Sequence, residues 1–314
     1  MDYIYLIIGL LFLAFGGEFL VKGSVSLALR LKISTLVVGM TVVSFATSAP
    51  ELLVSLDAAL GGHPDISLGN IIGSNIANIG LVLGVTALIF PLNVTEATYK
   101  TNYPMLFMVS VVFVLLLFFF KAITFWMGVI FVLSLLLFGA YIVSQSRKEG
   151  VQAAQEDELL EEVSHFPLWK SFTYLIAGGV ALYFGADFLI EGAIGISREW
   201  GVTERVISLS VVAIGTSVPE LAASVMAAIR REESLAIGNL LGSNIFNMLA
   251  VLGITSLVVD VPVMDAKIIT KDIWIMLGFV LVLYPVMRIF SQNKISRIEG
   301  GFMLIAYIAY IYFL

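Results

Sequence analysis

The chain has 314 residues, of which 60% are hydrophobic and only 13% charged, with a mean hydropathy of +1.02 and a formal net charge of −6. A soluble domain usually carries about 25% charged residues, so this composition excludes an ordinary cytosolic enzyme and makes lipid the solvent. The chain has no cysteine and only two histidines. Disulfides, thiolate metal sites and Cys nucleophiles are therefore excluded, a His-built zinc centre is disfavoured, and the lack of a basic patch argues against a nucleic-acid partner.

A helix needs roughly 20 mostly apolar residues to cross the bilayer core. Runs of this kind cover residues 3–29, 34–60, 66–89, 103–120, 123–145, 168–196, 203–229, 235–259, 270–290 and 296–314. They are long and continuous rather than alternating, which points to helices and not to a barrel. The expectation is an all-α polytopic membrane protein with ten transmembrane helices. The first run carries Asp2, has no basic segment before it and continues without a cleavage site, so it reads as a retained span rather than a signal peptide.

Loop Lys and Arg set orientation. Alternate loops hold Arg30, Lys32, Lys100, Arg147, Lys148, Lys170, Arg230, Arg231, Arg288, Lys294 and Arg297, against Lys121, Arg198, Arg205, Lys267 and Lys271 on the other side. The bias predicts a multi-pass protein of the cell membrane with both termini outside. The longest linker, 146–167, carries Glu156, Asp157, Glu158, Glu161 and Glu162. Such a run reads as a solvated cytoplasmic loop or helix, a regulatory ion site being the alternative.

The two halves match at a constant offset of 169 residues. FATSAPELLVS at 45–55 lies over IGTSVPELAAS at 214–224, and GNIIGSNIANIGLVLG at 69–84 over GNLLGSNIFNMLAVLG at 238–253. FGGEFLVKG at 15–23 lies over FGADFLIEG at 184–192. The chain thus divides into a first repeat, 1–145, the acidic loop, 146–167, and a second repeat, 168–314. Five spans per repeat is an odd number, so the second repeat must insert upside down. Inverted-topology repeats are typical of secondary transporters, whose sites lie near the midplane between repeats.

Glu51 and Glu220 fall near the middle of matched spans. A charge at the bilayer centre costs about 2.5–3.5 kcal/mol on insertion scales. With no Lys or Arg at the same depth in these spans, the two carboxyls are either protonated or face a cation. Thr47 and Ser48 precede Glu51 on one helical face. Pro50 removes a backbone donor and frees the carbonyl of Ala46. Thr216, Ser217, Pro219, Glu220 and the carbonyl of Gly215 repeat the pattern. The following spans contribute the stripes Asn70, Ser74, Asn78 and Asn239, Ser243, Asn247. The pairs Gly69/Gly73 and Gly238/Gly242 provide small faces for close helix approach. Every candidate ligand is an oxygen, which suits hard cations: Ca²⁺, Na⁺ and, because it sheds water reluctantly, less readily Mg²⁺. Two glutamates carry −2, the charge of one Ca²⁺ or two Na⁺.

Two copies of T-S-x-P-E, each followed by G-N-x-x-G-S-N-x-x-N, resemble the α-repeats of the cation/calcium antiporter superfamily, in particular its sodium/calcium exchanger branch of prokaryotic type. The resemblance covers essentially the whole chain. It implies that Glu51 and Glu220 ligate Ca²⁺ and share Na⁺, and that Thr47 and Thr216 offer backbone carbonyls. It further implies that Ser48, Ser74, Ser217 and Ser243 ligate Na⁺ in flanking sites, aided by the carbonyls of Ser44 and Ala213, while Asn78 and Asn247 hold the centre. Potassium-dependent members carry Asp where this chain has Asn247, which weakens any case for K⁺ co-transport. The intact T-S-x-P-E favours Na⁺ over H⁺ coupling. In the family the first and sixth spans are thought to slide across the core, and Gly16, Gly17 and Gly185 suit such movement.

Glu18 and Asp187 are repeat-equivalent acidic residues outside this set. Lys22 follows Glu18 by one turn and is placed to pair with it, but Glu191 takes the Lys22 position in the second copy. Both acids read as lining a wet crevice or bonding backbone, and stay outside the expected site. The expectation is a Na⁺/Ca²⁺ antiporter without a cofactor, with the bilayer as its setting and no obligate protein partner. A H⁺/divalent cation antiporter and an ion channel are the alternatives. An intramembrane enzyme is disfavoured because the sequence offers no paired nucleophile and base.

Overall fold

In lipid, backbone polar groups must be satisfied within their own segment, so continuous apolar runs become helices. The computed structural model describes residues 1–149, 158–201 and 215–313. Its helices are α1 (Asp2–Leu31), α2 (Thr35–Thr47), α3 (Ala49–Leu60), α4 (Pro64–Ile89), α5 (Thr98–Phe120) and α6 (Phe125–Lys148). The linker forms α7 (Glu158–Ser164). Then follow α8 (Leu168–Glu199), α9 (Val218–Ile229), α10 (Glu233–Val258), α11 (Ile268–Phe290) and α12 (Arg297–Tyr312).

Among the described residues, seven helices are long and apolar enough to cross a membrane, and the α2–α3 pair adds an eighth if taken as one span. The chain is therefore a polytopic helical membrane protein. Two expected spans differ in extent. The run 203–229 is represented only by α9, with 12 residues, because 202–214 lie outside the described residues. The last run yields α12 with 16 residues, about 24 Å at 1.5 Å per residue. The run 34–60 is not one straight helix. It breaks at Ser48, and α3 leaves α2 at 45°. Pro50 sits in the first turn of α3, where its missing N–H is harmless, and not inside a continuing helix.

Burial separates the helices. In α4 and α10, 78% of the most apolar window is buried, against 33% in α1, 28% in α8 and 22% in α6. The pair α4 and α10 is the centre, and the other long helices are exposed over most of their surface. Both central helices contain a π-helical turn at matched places, Asn78–Val82 and Asn247–Val251. Such turns are rare and tend to occur at functional positions.

Four two-residue strands tie the loops. Leu92–Asn93 (β1) pairs antiparallel with Lys294–Ile295 (β4), and Ala122–Ile123 (β2) with Val261–Pro262 (β3). Each clasp is reinforced from a helix start: the Asn93 N–H donates to Glu233, and the Met264 N–H to Asp65, both at 2.8 Å. Residues 92–93 precede α5, whereas 261–262 pair with residues that follow it. The repeat-equivalent loops therefore lie at opposite ends of α5. The acidic linker is not wholly solvated either. Leu159, Val163 and Phe166 are buried, and Arg30 donates to the Phe166 carbonyl at 2.9 Å.

The helices α1 and α8 pack antiparallel with their backbones in contact. Gly9, Gly16 and Gly23 on one face Gly185, Gly178 and the Ser171 carbonyl on the other. A Cβ at Gly178 would stand 2.7 Å from the Leu20 nitrogen and 2.8 Å from the Gly16 carbonyl oxygen. Gly178→Val is thus expected to destabilise the protein by about 1–3 kcal/mol through overpacking, read as a lower melting temperature in detergent. Gly139→Ala is the control. A Cβ there meets no heavy atom of the described residues within 4 Å, so the helix propensity of Ala should hold or raise the melting temperature.

Candidate functional site

The break at Ser48 and its counterpart at Ser217 have nearly the same backbone. Ser48 has φ −87° and ψ 6°, and Ser217 φ −90° and ψ 3°. This bridge region is sparsely populated and recurs at functional residues. In each case a new helix starts at the next residue with proline second, which places Glu51 and Glu220 in its first turn. Both carboxyl groups are fully buried.

Asparagines on the central helices bracket these turns from behind. Asn70 Nδ2 donates to Ser55 Oγ at 3.0 Å and to the Glu51 carbonyl at 3.3 Å. Asn239 Nδ2 repeats this with Ser224 Oγ at 3.0 Å and the Glu220 carbonyl at 3.4 Å. The halves are then stitched crosswise. Thr47 Oγ1 lies 3.3 Å from Ser243 Oγ, and Ser74 Oγ lies 3.3 Å from Thr216 Oγ1. These are the same contact twice, related by the repeat offset. Thr47 also donates to Asn239 Oδ1 at 3.2 Å, and Ser48 Oγ to Glu220 Oε1 at 3.2 Å.

Several polar atoms inside this cluster are buried without a hydrogen-bond partner. They are both oxygens of Glu51, Oε2 of Glu220, Ser217 Oγ, Oδ1 of Asn247, and both amide ends of Asn78. Buried polar atoms are normally satisfied, and an unpaired carboxylate in a low-dielectric interior is among the costliest groups to leave so. The surplus is almost entirely acceptors, the complement of a cation. Glu220 accepts from Ser48, and among the described residues neither carboxylate has a basic partner.

The structure thus brings together Thr47, Ser48, Glu51, Ser74 and Asn78 with Thr216, Ser217, Glu220, Ser243 and Asn247. Ser44 lies at the edge of the cluster. Its hydroxyl donates to the Gly39 and Asn239 carbonyls, and its own carbonyl accepts from the Ser48 N–H at 2.9 Å. Ala213 lies outside the described residues. Gly238 and Gly242 fit the backbone of α2 at Leu36, Gly39 and Met40, where any Cβ would clash. The equivalent partners of Gly69 and Gly73 fall in 202–214, outside the described residues.

Sequence reasoning passed over Asn75 and Asn244. They follow the motif serines, are buried, and sit one position off the Asn–Ser–Asn stripe. Asn247 Nδ2 donates to Asn75 Oδ1 at 3.4 Å. The signal was present in G-S-N, which occurs in both repeats. Glu18, left outside the site, is held by a fork from Arg230 at 2.7 and 2.5 Å and by Lys22 at 3.1 Å. Lys22 also reaches Glu162 of α7 at 2.6 Å. Asp187 is exposed.

The chain matches the family model of the sodium/calcium exchanger protein over residues 1–146 and 170–314. It is 37% identical to CaxA of Alkalimonas amylolytica over 99% of its own length and 98% of that protein's. It is 28% identical to the sodium/calcium exchanger MaX1 of Methanosarcina acetivorans, over 99% and 97%. Its fold is similar to that of the sodium-calcium exchanger NCX_Mj, with a TM-score of 0.82, 30% identity, and coverage of 100% of this chain and 98% of the other. With the family pattern spread over both halves and a relative matched nearly end to end, this chain belongs to the sodium/calcium exchanger family of membrane transport proteins.

Proposed function

We propose that the protein is a Na⁺-driven Ca²⁺ antiporter of the cell membrane, working by alternating access around one midplane site. The observation that carries this reading is the pair of fully buried carboxylates, one from each half, surrounded by crosswise-paired hydroxyls and amides and lacking a basic partner. Bare, two such charges would be prohibitive in lipid. One Ca²⁺ or two Na⁺ neutralise them, so each ion discharges the same site and competes with the other.

The ten-helix, inverted-repeat reading, with repeats at 1–145 and 168–314 joined by a cytoplasmic loop, is supported by the loops. Positions 92 and 261 are repeat equivalents, yet they lie at opposite ends of α5. A site built from two such halves offers equivalent walls to both faces, as alternating access requires. In this reading Glu51 and Glu220 ligate Ca²⁺ together with the carbonyls of Thr47 and Thr216. Ser48, Ser74, Ser217 and Ser243 extend the site toward both faces as Na⁺ ligands, with the carbonyls of Ser44 and Ala213. Asn78 and Asn247 hold the centre. The bias in loop charges supports both termini lying outside.

The test is ⁴⁵Ca²⁺ uptake into proteoliposomes with imposed Na⁺, K⁺ or H⁺ gradients. An outward Na⁺ gradient should drive uptake; uptake driven by a proton gradient without Na⁺ would instead make the protein a H⁺/divalent cation antiporter. Glu51→Gln and Glu220→Gln should each reduce Ca²⁺ transport to background while the protein remains extractable and folded, because a single carboxylate leaves the divalent ion undercompensated where water screens little. Wild-type flux from either variant would refute the site. Exchange should also persist with choline in place of K⁺, since Asn247 is neutral. Finally, the four serines suit more than two Na⁺. A third Na⁺ per Ca²⁺ moves one net charge per cycle, worth about 2.3 kcal/mol per 100 mV. A potential clamped with valinomycin and K⁺ should then drive Ca²⁺ flux even at equal Na⁺ on both sides, whereas flux indifferent to potential would mean electroneutral exchange.

A further inference from the structure

The polar cluster is built twice, but its hydrogen bonds are not made twice. Of the contacts that link the halves, Thr47 with Ser243 and Ser74 with Thr216 are present in both copies. Others, Thr47 Oγ1 with Asn239 Oδ1 among them, are present in only one copy, and two of these involve the site's amides and carboxylates. Asn247 Nδ2 donates to Asn75 Oδ1. The equivalent pair is Asn78 Nδ2 with Asn244 Oδ1, and both of those atoms are buried without a partner. Ser48 Oγ donates to Glu220 Oε1. The equivalent pair is Ser217 Oγ with Glu51, and again all the atoms lack partners.

The paired residues themselves do not explain the asymmetry, although Met276, which accepts from Asn75, has Phe107 as its repeat equivalent. The residues on both sides of each pair are identical, Asn with Asn and Ser with Glu. Asn75 is 1% and Asn244 0% exposed, so burial does not differ either. An unmade buried hydrogen bond is expensive. A molecule that makes one member of an equivalent pair and leaves the other unmade has a second arrangement, with the bonds exchanged, built from the same residues. Packed interiors switch between such discrete arrangements rather than deforming continuously.

The bond also has chemical direction. Asn75 presents its Oδ1, which accepts only from the NH₂ end of Asn247 and so leaves the Asn247 Oδ1 unpartnered. An amide fixed in this way offers oxygen rather than N–H to a cation. Asn78, with both ends unpartnered, is not fixed. Asn75 is itself held by donation from its Nδ2 to Met276 Sδ at 3.7 Å, and Asn244 by donation to the Leu240 carbonyl at 2.8 Å.

We propose that Asn75 and Asn244 are alternating positioning residues: Asn75 fixes Asn247 in the conformation described here, and Asn244 fixes Asn78 when the site faces the other side of the membrane. The proposal rests on the alternating-access reading above.

The test measures the ⁴⁵Ca²⁺ concentration for half-maximal Na⁺-dependent exchange in right-side-out and inside-out vesicles, and takes the ratio of the two sides. Asn75→Leu removes the acceptor in one conformation only, and Asn244→Leu in the other. Each should move the ratio by roughly threefold to tenfold, the scale of one modest hydrogen bond, and in opposite directions. The double variant should return it to within about twofold of the wild type. A merely structural role lowers flux or protein yield without moving the ratio in opposite senses. Ratios that stay fixed, or that move the same way in both single variants, overturn the proposal. If the leucine variants do not accumulate, Asn75→Ser and Asn244→Ser, whose hydroxyls are too short to span the pairing, carry the same comparison. Wild-type vesicles that show no Na⁺-dependent Ca²⁺ exchange would remove the antiport reading along with it; wild-type exchange with a fixed ratio removes only the switch.

Discussion

Two carboxylates buried where water does not reach are the constraint around which this molecule is arranged. Glu51 and Glu220 have no exposed surface, and lipid offers nothing to solvate them. The helix breaks at Ser48 and Ser217 and the crosswise threonine–serine contacts gather neutral oxygens around those two groups, and the asparagine brackets at Asn70 and Asn239 hold the glutamates' main chain. None of these features is favourable alone: a broken helix gives up backbone hydrogen bonds, and buried hydroxyls and amides need partners. They persist because each satisfies part of another's requirement.

The packing follows from the same solvent. Between lipid-embedded helices the hydrophobic effect supplies little attraction, so close van der Waals contact and polar pairs must hold them. The glycines serve this at two kinds of place. On α10, Gly238 and Gly242 let its backbone touch that of α2, which brings Asn239 and Ser243 within reach of Thr47. On α1 and α8 they form a continuous smooth seam, away from the carboxylates. One set sets the span of the polar cluster, and the other sets how tightly the outer pair fits itself.

Much of this was legible in the sequence because the repeat is itself a physical signal. Polar residues recurring at one offset within apolar spans mark the cluster, and among them Thr47, Ser48, Ser74, Thr216, Glu220 and Ser243 make hydrogen bonds between the halves. What escaped did so for identifiable reasons. Pro50 read as a defect inside a helix, but it begins a new one, since a proline alone does not say whether the chain bends before it. Asn75 and Asn244 lie one position off the stripe and face sideways, so a rule based on a single helical face discards them. The fork from Arg230 to Glu18 joins residues 212 apart. Strands of two residues carry no periodicity at all. The last helix begins at Arg297 behind a capping box at Ser296 and Glu299, one residue inside its apolar run, and ends at Tyr312 before a turn at Phe313.

The strand clasps have a mechanical consequence. They join the loops that flank α4, α5, α6, α10, α11 and α12 at both ends of the bundle by main-chain hydrogen bonds. Those helices form a girdle tied through its loops. Among the described residues no long-range main-chain hydrogen bond fastens α1 or α8 to that girdle. The side-chain pairs of α1 reach other elements, Glu18 to Arg230 at the end of α9 and Lys22 to Glu162 of α7. Among the described residues, a displacement of α1 and α8 against the clasped helices breaks no main-chain clasp.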